Sequence, residues 1–367
     1  MKPYEPNMLP LASLDYRSII SLVGQANAAL ARYDGLLQGI VNPAVLLSPL
    51  TMQEAVLSSK IEGTQATVDE VFEHEAGQEY DEAKTQDIQE VVNYRAALMM
   101  ATEQLSDRSI TLGFIREMHA MLMNSVRGRD KSPGEFRVDQ NWIGSYGCSI
   151  EMATFVPPSP LHLHDFLLNW ESYLASNDFD PLVQTAIIHA QFELMHPFKD
   201  GNGRIGRLLI PLFLYSKKSL SRPMFYLSGY LEANRDEYYA RLQAISKNGD
   251  WDGWIIYFLN AIIFQASDNA EKVRHVMHLY DMMKERIREL THSQYSIQLL
   301  DAIFNKPIFQ TTDFVTRSGI PKPTAMGLIQ TLKQEGILIT IREGSGRRAA
   351  ILAFPELLNR AEGKKVI

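Results

Sequence analysis

The residues whose types and spacing are best suited to catalysis lie between His196 and Arg207, in the stretch HPFKDGNGRIGR. His196 is a base that accepts a proton near neutral pH, and the Asp200 carboxylate is a hard oxygen ligand that suits Mg²⁺. Arg204 and Arg207 lie three residues apart, so guanidinium groups on one face of a helix can bind several phosphate oxygens. The stretch therefore predicts a site that handles the phosphates of a nucleotide.

The glycines of this stretch predict the backbone part of the same site. Gly201 and Gly203 allow main-chain N–H groups to approach an anion closely, and a helix from residue 204 onward would add a positive N-terminus. The pattern also matches the G-x-G-x-x-G dinucleotide fingerprint, which counts only after a strand. Residues 182–195 have apolar residues at helical spacing, so a Rossmann fold is excluded. A purely structural helix-turn-helix would explain the glycines but not the base, acid and arginines beside them.

These residues resemble the signature of the Fic family, His-Pro-Phe-x-Asp/Glu-Gly-Asn-Gly-Arg-x-x-Arg, and every defined position is matched. The resemblance implies an all-helical core that moves AMP from ATP to a hydroxyl group of a target protein. It makes His196 the general base, Asp200 the ligand of Mg²⁺ and Phe198 the apolar anchor of the loop. The residues that the resemblance assigns to nucleotide binding are Lys199, Asp200, Gly201, Asn202, Gly203, Arg204 and Arg207.

A second motif, Ser58-Ser-Lys-Ile-Glu62-Gly63, resembles the inhibitory pattern of the same family. Residues 51–63 indicate a helix that Gly63 ends, so Glu62 lies in its last turn, where the helix dipole disfavours a carboxylate without a cation. The resemblance implies that Arg207 is this cation and that Glu62 blocks the γ-phosphate of ATP. The alternative is a solvent-exposed glutamate before a capping glycine.

Two further segments are similar to parts of the family. Turn-forming residues at 144–147, between short apolar stretches, predict a β-hairpin. The resemblance implies that this hairpin is a flap beside the active site, whose Thr154 and Phe155 align a target segment by main-chain pairing. An ordinary surface hairpin is the alternative. The segment 231–239 implies that Asn234, Tyr238 or Tyr239 faces the adenine, although aromatic residues on helices more often belong to the core.

Composition limits the class of protein. The chain has 367 residues, 46% hydrophobic content and a net charge of −7, which predict a globular protein of two or three domains without a global nucleic-acid signature. The first residues contain no apolar signal region, and no apolar run is long enough to span a bilayer. The single cysteine, Cys148, excludes an intrachain disulfide and suits the cytoplasm.

The C-terminal part predicts a winged helix-turn-helix. Helices are expected at 296–305, 312–318 and 323–335, followed by wing strands at 337–341 and 349–354. Arg347 and Arg348 at the wing would contact phosphates, whereas the third helix offers few side chains for reading bases. DNA binding and protein contact both stay open from the sequence.

The predicted protein is mainly α-helical and has four parts. They are an N-terminal helical region over 1–105 with the inhibitory helix 51–63, a Fic core with its flap over 106–267, a linker helix over 268–291, and the winged helix-turn-helix over 292–367. The predicted function is an auto-inhibited protein adenylyltransferase that uses ATP and Mg²⁺, with a Tyr, Thr or Ser hydroxyl of a target protein as acceptor. A DNA-binding regulator whose Fic core senses a nucleotide is the alternative. A homodimer is expected because relatives often dimerise.

Overall fold

The computed structural model describes residues 2–124, 129–145, 147–346 and 348–367, which form a mainly helical fold. The helices of the first part are α1 Tyr16–Gln38, α2 Pro43–Leu46, α3 Ser48–Ile61, α4 Val68–Glu75, α5 Glu82–Gln104, α6 Leu112–Leu122, α7 Pro160–Ala175, α8 Pro181–Met195, α9 Asn202–Ser216, α10 Ser228–Ala233, α11 Arg235–Asn248 and α12 Trp251–Thr291. The later elements are α13 Ser296–Asn305, β1 Ile308–Gln310, α14 Thr311–Ser318, α15 Lys322–Gln334, β2 Ile339–Arg342, β3 Ile351–Ala353 and α16 Pro355–Glu362. Short 3₁₀ helices occupy Arg129–Lys131 and Ile150–Met152.

The chain divides into two compact units that are not contiguous in sequence. Unit 1 comprises Met1–Gly35, Leu57–Gly63 and Val92–Ser267, and unit 2 comprises Leu36–Val56, Thr64–Val91 and Asp268–Ile367. Four of the five boundaries fall inside α1, α3, α5 and α12, and the fifth follows Gly63, whereas the predicted domains were continuous stretches. The 51–63 segment is consequently shared, and its end around Glu62 belongs to unit 1.

Helix α8 lies at the centre of unit 1. Nearly all of its residues are buried, as expected of a helix that is apolar on every side. Pro181 opens the helix, and the side chain of Asp180 accepts hydrogen bonds from the first two free N–H groups. The indoles of Trp170 and Trp254 donate to carbonyls of α8 at 3.0 and 2.8 Å. The residue that follows α8, His196, therefore starts from a well-fixed backbone.

Unit 2 contains the only described strands of the chain. They form a three-stranded antiparallel sheet in the order β1, β3, β2, with Ile308 opposite Ala353 in the first pair and Ile339 opposite Ala353 in the second. The central strand β3 is completely buried. Helices α4 and α14 pack on β1, and α13 packs on α14, so the small sheet is covered by helices of the same unit.

Several elements differ from those predicted, and each difference has a local cause. The apolar spacing predicts separate helices over 251–266 and 268–291, but they form one continuous helix, because no glycine or proline separates them. The same spacing predicts single helices over 231–247 and 44–62, whereas the structure breaks them at Asn234 and Leu47. Helix α4 was not predicted. Among the described residues no helix is both long and apolar enough to cross a membrane.

The predicted flap hairpin is much shorter than expected. Its described residues form a single antiparallel bridge between Ile143 and Phe155, without a ladder of strands. The pairing cannot extend past Phe155 because Pro157 and Pro158 lack N–H groups. On the other side, the 3₁₀ helix Ile150–Met152 replaces extended backbone. Tyr146 in the predicted turn lies outside the described residues.

Candidate active site

The loop between α8 and α9, residues 196–201, is closed by a side chain of α9. Asn202 Oδ1 accepts from the N–H of Phe198 at 2.8 Å, and Asn202 Nδ2 donates to the carbonyl of Phe198 at 2.9 Å. Gly201 has a φ of 74°, a left-handed conformation in which other residues are strained. This arrangement brings the loop backbone to the N-terminus of α9, where the sequence predicted an anion site.

His196 caps α8 in the left-handed conformation, with φ 46°. Its Nδ1 lies 3.4 Å from the carbonyl of Glu193, which only accepts hydrogen bonds, so the ring proton is on Nδ1 and the lone pair is on Nε2. Burial lowers the pKa of His196 to about 4, although Glu62 partly opposes this shift. The imidazole is therefore neutral at pH 7 and can accept a proton.

Asp200 extends from the loop toward solvent. Its Oδ1 accepts from the N–H of Gly201 at 2.6 Å and lies 3.6 Å from Arg204 Nη2, while about half of the side chain, 48%, is exposed. A carboxylate of this exposure, beside a buried guanidinium, suits an ion that arrives bound to a polyphosphate. Lys199 also lies at the edge of the loop and is 3.9 Å from Asp139.

Arg207 is held by the end of helix α3. Its Nη2 is 2.7 Å from Glu62 Oε1 and donates to the carbonyl of Ser58, while its Nε donates to Ser58 Oγ, both at 2.8 Å. Burial raises the pKa of the Glu62 carboxyl, but the charge and the hydrogen bond of Arg207, together with the charge of Arg204, hold this pKa below its ordinary value. Glu62 and Arg207 are thus a charged pair at neutral pH.

The Glu62 carboxylate also lies over the first turn of α9. A methyl group added at Gly203 would overlap Glu62 Oε1 and would crowd Arg207. The first turn of a helix has free N–H groups and a partial positive charge, so it favours an anion. In this structure the anion at that place is Glu62.

Phe198 and His119 form a buried support beneath the loop. Their rings stack at 3.7 Å with an interplanar angle of 5°. The N–H of Gly134 donates to His119 Nδ1 at 2.9 Å, so Nε2 carries the ring proton and donates to the carbonyl of Asp200 at 3.0 Å. The sequence reasoning anticipated Phe198 but missed His119, whose only signal was a histidine on the buried face of α6.

The candidates for adenine contact lie in different environments. Tyr238 is buried, and its hydroxyl donates to Nε2 of His189, whose Nδ1 donates to the carbonyl of Gly206. Tyr238 thus supports α9 from the core instead of facing the site. Tyr239 is 42% exposed, and burial together with the nearby Glu62 charge raises its pKa to about 12, against the opposing charge of Arg207. Asn234 is half-buried at the junction of α10 and α11, where its Nδ2 donates to the carbonyl of Tyr230.

The flap residues lie beside the bridge described above. The N–H groups of Thr154 and Phe155 both donate to the carbonyl of Ile143, at 2.7 and 3.1 Å. Thr154 is exposed, whereas Phe155 is half-buried with its ring 5.7 Å from that of Tyr4. The N–H of Tyr4 donates to the carbonyl of Val156, so the N-terminal segment follows this edge of the flap.

Glu193 is a second acidic residue near Arg207 that the sequence reasoning missed. Its Oε1 is buried without a hydrogen-bond partner among the described residues, and a methyl group at Gly206 would overlap it. Burial raises the pKa of Glu193 to about 8, against the opposing effect of Arg207. Glu193 is therefore largely protonated at pH 7, which leaves Glu62 as the charged partner of Arg207.

Comparisons with known proteins identify the family. Residues 20–103 match the Fic/DOC family N-terminal region, and residues 109–214, which contain the whole loop, match the Fic/DOC family. The protein adenylyltransferase Fic of Aedes aegypti is 31% identical over 205 residues, which are 54% of this chain and 36% of that protein. Protein adenylyltransferase fic-1 of Caenorhabditis elegans is 30% identical over 131 residues, 34% of this chain and 24% of that protein.

Solved structures show the same fold at lower identity. A Fic family protein from Desulfovibrio desulfuricans G20 has a TM-score of 0.60 at 20% identity, with 96% of this chain and 98% of that chain covered. Fic-1 of C. elegans has a TM-score of 0.54 at 21% identity, with 69% and 71% covered. The chain spans about a third of the length of the curated insect relatives, 36% to 38%. By its two matched regions, its loop signature and its fold, the chain belongs to the Fic/DOC family.

Proposed function

We propose that the protein is an auto-inhibited adenylyltransferase that moves AMP from ATP to a hydroxyl side chain of a target protein. The observation that carries the proposal is the 196–207 loop, in which a neutral base and a half-exposed carboxylate stand beside the N-terminus of α9. The names of the similar proteins support the same activity. Nucleotidyl transfer needs positioning and charge neutralisation, which such a loop supplies.

The residues suit a simple in-line transfer. His196 Nε2 takes the proton of the target hydroxyl as its oxygen bonds to the α-phosphorus of ATP. The bond from that phosphorus to the bridging oxygen of the β-phosphate breaks, and pyrophosphate leaves with the bonding electrons. The N–H groups at the start of α9, with Asn202 and Arg204 nearby, would bind the phosphate oxygens.

Mg²⁺ is the expected companion of the ATP phosphates, and Asp200 is the residue that would hold it. The half-exposed carboxylate fits this ion by its oxygen donors and its position in the loop. Bound there, the ion would neutralise charge on the phosphates. The contribution of Asp200 itself is to orient one oxygen through the N–H of Gly201.

Autoinhibition is proposed from the Glu62–Arg207 pair. A γ-phosphate that binds Arg207 needs the space and the charge that Glu62 now takes, at 2.7 Å from the guanidinium. ATP would then bind in a displaced pose, with its α-phosphorus out of line with the attacking hydroxyl. We infer that the wild-type protein is slow and that release of Glu62 activates it.

The test is incubation with ATP labelled in the α-phosphate, followed by detection of labelled protein in a cell lysate. Glu62→Gly should raise the rate of AMP incorporation about 10-fold or more, which corresponds to about 1.4 kcal/mol.

His196→Ala in the Glu62→Gly background should lower the rate of AMP incorporation by about 10²-fold or more while ATP binding persists. EDTA should stop the reaction. Arg207→Ala should not activate the protein, because it removes the ligand of the γ-phosphate together with the Glu62–Arg207 pair. An unchanged rate in Glu62→Gly would refute autoinhibition. Incorporation of labelled AMP by the His196→Ala variant at the undiminished rate would refute the role of His196 as the base.

For the C-terminal part of unit 2 we propose a winged helix-turn-helix. The proposal is supported by the order of α13, β1, α14, α15, β2 and β3, which brings the wing strands together on one sheet. The wing is the connection 342–348, of which Arg347 lies outside the described residues. Arg342 Nη1 donates to the carbonyl of Gly77 at 3.0 Å, and Arg348 is 3.3 Å from Glu79. These contacts inside unit 2 favour a contact with protein segments over DNA.

A further inference from the structure

His196, the base of the proposed reaction, has an unusual backbone conformation that other residues must stabilise. His196 has φ 46° and ψ 59°, a left-handed conformation that side chains other than glycine rarely adopt. Its own N–H still donates to the carbonyl of Phe192 at 3.0 Å, in continuation of α8. Its carbonyl has left the helix and needs donors from elsewhere. The position of the imidazole depends on what holds this residue.

Arg137 supplies those donors from a segment about 60 residues earlier. The residue is only 3% exposed. Its backbone N–H donates to the carbonyl of Pro197 at 2.9 Å. Its guanidinium donates to four further carbonyls, namely His196 at 2.9 Å through Nε, Pro158 at 2.6 Å and Met195 at 3.4 Å through Nη2, and Asp139 at 3.3 Å through Nη1.

This guanidinium is bound by carbonyl oxygens and not by a carboxylate. Within the described ranges no acidic side chain forms an ion pair with Arg137, and burial lowers the pKa of its guanidinium to about 10, so it is still charged at pH 7. The carbonyls at the C-terminus of a helix carry partial negative charge, which stabilises a cation there. Only arginine has the planar set of donors that reaches several carbonyls at once.

Asn141, four residues further on, adds a second contact of the same kind. Its Nδ2 donates to the carbonyl of His196 at 3.4 Å and to that of Phe198 at 3.2 Å. The segment 137–141 therefore contacts the backbone at the start of the 196–201 loop on both sides of Pro197. It is also the segment that leads into the flap.

We propose that Arg137 is a positioning residue for the catalytic base: its guanidinium fixes the left-handed backbone of His196 and thereby the place from which Nε2 removes the proton of the target hydroxyl. The inference rests on the proposed function. Arg137 contacts neither ATP nor target in this role and acts through His196 alone.

The test compares variants in the Glu62→Gly background, where AMP transfer is fast enough to measure. A reacting group misplaced by about 1 Å can lose about 10²-fold in rate, so Arg137→Met should lower kcat by about 10- to 100-fold, with KM for ATP within about 3-fold. Arg137→Lys keeps the charge but not the planar donors, and should recover only part of kcat. The milder Asn141→Ala should lower kcat by about 3- to 10-fold in the same sense.

Arg108→Met is the matched control. Arg108 is exposed, and its guanidinium pairs with Glu117 at 2.7 Å, away from the 196–201 loop and from the residues that support it. This variant should keep kcat. Thermal unfolding of every variant gives the folded fraction, so that kcat is expressed per folded enzyme. If Arg137→Met and Asn141→Ala both keep kcat within about 3-fold, or if only KM for ATP rises, Arg137 is not a positioning residue.

A titration of the His196 ring by NMR separates this inference from the proposed function, since it needs no AMP transfer. Burial is the main cause of the lowered pKa of this ring; the charge of Arg137 lowers it further, whereas Glu62 and Asp200 raise it. Arg137→Met should raise the pKa of His196, and Arg137→Lys should change it much less. A titration unchanged in both variants would overturn the role of Arg137. If the parent protein shows no AMP transfer but Arg137→Met still raises the pKa of His196, the proposed transferase activity is refuted and the contact between Arg137 and His196 is not.

Discussion

At the scale of single residues, three buried or half-buried histidines surround the loop, and their surroundings keep all three neutral. Burial lowers the pKa of His119 and His196 to about 4 and that of His189 to about 3. His119 and His189 use both ring nitrogens in hydrogen bonds that hold α9 and the loop. His196 uses only Nδ1, which explains why it is the ring suited to accept a proton.

These histidines predict a loss of stability in acid. Each folded pKa lies below the unfolded value near 6.5, so the unfolded chain binds more protons as pH falls. Stability should therefore decrease between about pH 6.5 and pH 4, and Glu62, whose pKa is also lowered, adds to the loss at the acidic end. Tm measured across this range should fall steadily, and a flat Tm would contradict the neutral, buried rings.

The raised pKa of Glu193 predicts a loss of folding stability as pH rises, the reverse of the effect of the histidines. Its folded pKa of about 8 is above the ordinary value, so the folded state holds a proton that the unfolded state has lost. Its contribution to the free energy of unfolding therefore becomes steadily less favourable as pH rises toward 8. Glu193→Gln removes this titration, so its Tm should gain on the wild type from pH 6 to pH 9. Glu103→Gln, at an exposed glutamate, is the control, and an equal gain in both variants would exclude a special state of Glu193.

At the scale of elements, the sequence was most informative where chemistry and periodicity agreed. The loop and the helices around it were predicted because the signature, the apolar spacing and the glycines all pointed to helix, turn, helix. The helix order of residues 296–334 was also predicted within a residue or two. The roles of Arg137, His119 and Glu193 were not accessible, since each depends on carbonyls or rings that only the fold brings near.

Helix α4 shows a local signal that was overlooked. Thr67 and Glu70 form a capping box, with the Thr67 N–H donating to Glu70 at 2.9 Å, and Val68, Val71 and Phe72 are buried at helical spacing. The surrounding acidic residues masked this pattern. The break at Asn234 and the short flap pairing were less predictable, because tertiary contacts and missing proline N–H groups decide them.

Two adjacent serines of helix α3 provide a matched test of how Arg207 is held in the Glu62–Arg207 pair. Ser58 and Ser59 are adjacent and fully buried, but only Ser58 Oγ accepts from Arg207, while the Ser59 hydroxyl has no partner among the described residues. Ser58→Ala should loosen Arg207 and raise AMP incorporation by about 2- to 5-fold, since one hydrogen bond to a charged group contributes roughly 1.5–3 kcal/mol, part of which water restores. Ser59→Ala should leave the rate unchanged. Equal rates in the two variants would show that Ser58 has no part in holding Arg207 in this pair.

At the scale of the whole molecule, the charge distribution bears on what the chain can bind. The net charge is −7, and the two described cations of the proposed wing, Arg342 and Arg348, have partners within unit 2. Lys306, on the same unit, donates to the carbonyl of Glu75 at 3.2 Å. The turn at residues 75–79 thus provides partners for three basic side chains that a DNA backbone would otherwise attract, although Arg348 itself is exposed. The homodimer expected from the sequence stays a prediction.

This arrangement predicts weak DNA binding by the full chain, with opposite effects of two variants. Non-specific binding has a Kd of roughly 10⁻⁴–10⁻⁶ M at physiological salt and weakens steeply as salt rises. We expect fluorescence anisotropy with duplex DNA to give a Kd in or above that range at 0.15 M salt. Glu79→Gln should strengthen binding at low salt because it frees Arg348, and Arg348→Ala should weaken it. Arg360→Ala is the control, since Arg360 pairs with Glu356 in α16. A Kd below about 10⁻⁷ M at 0.2 M salt would instead favour the DNA-binding regulator.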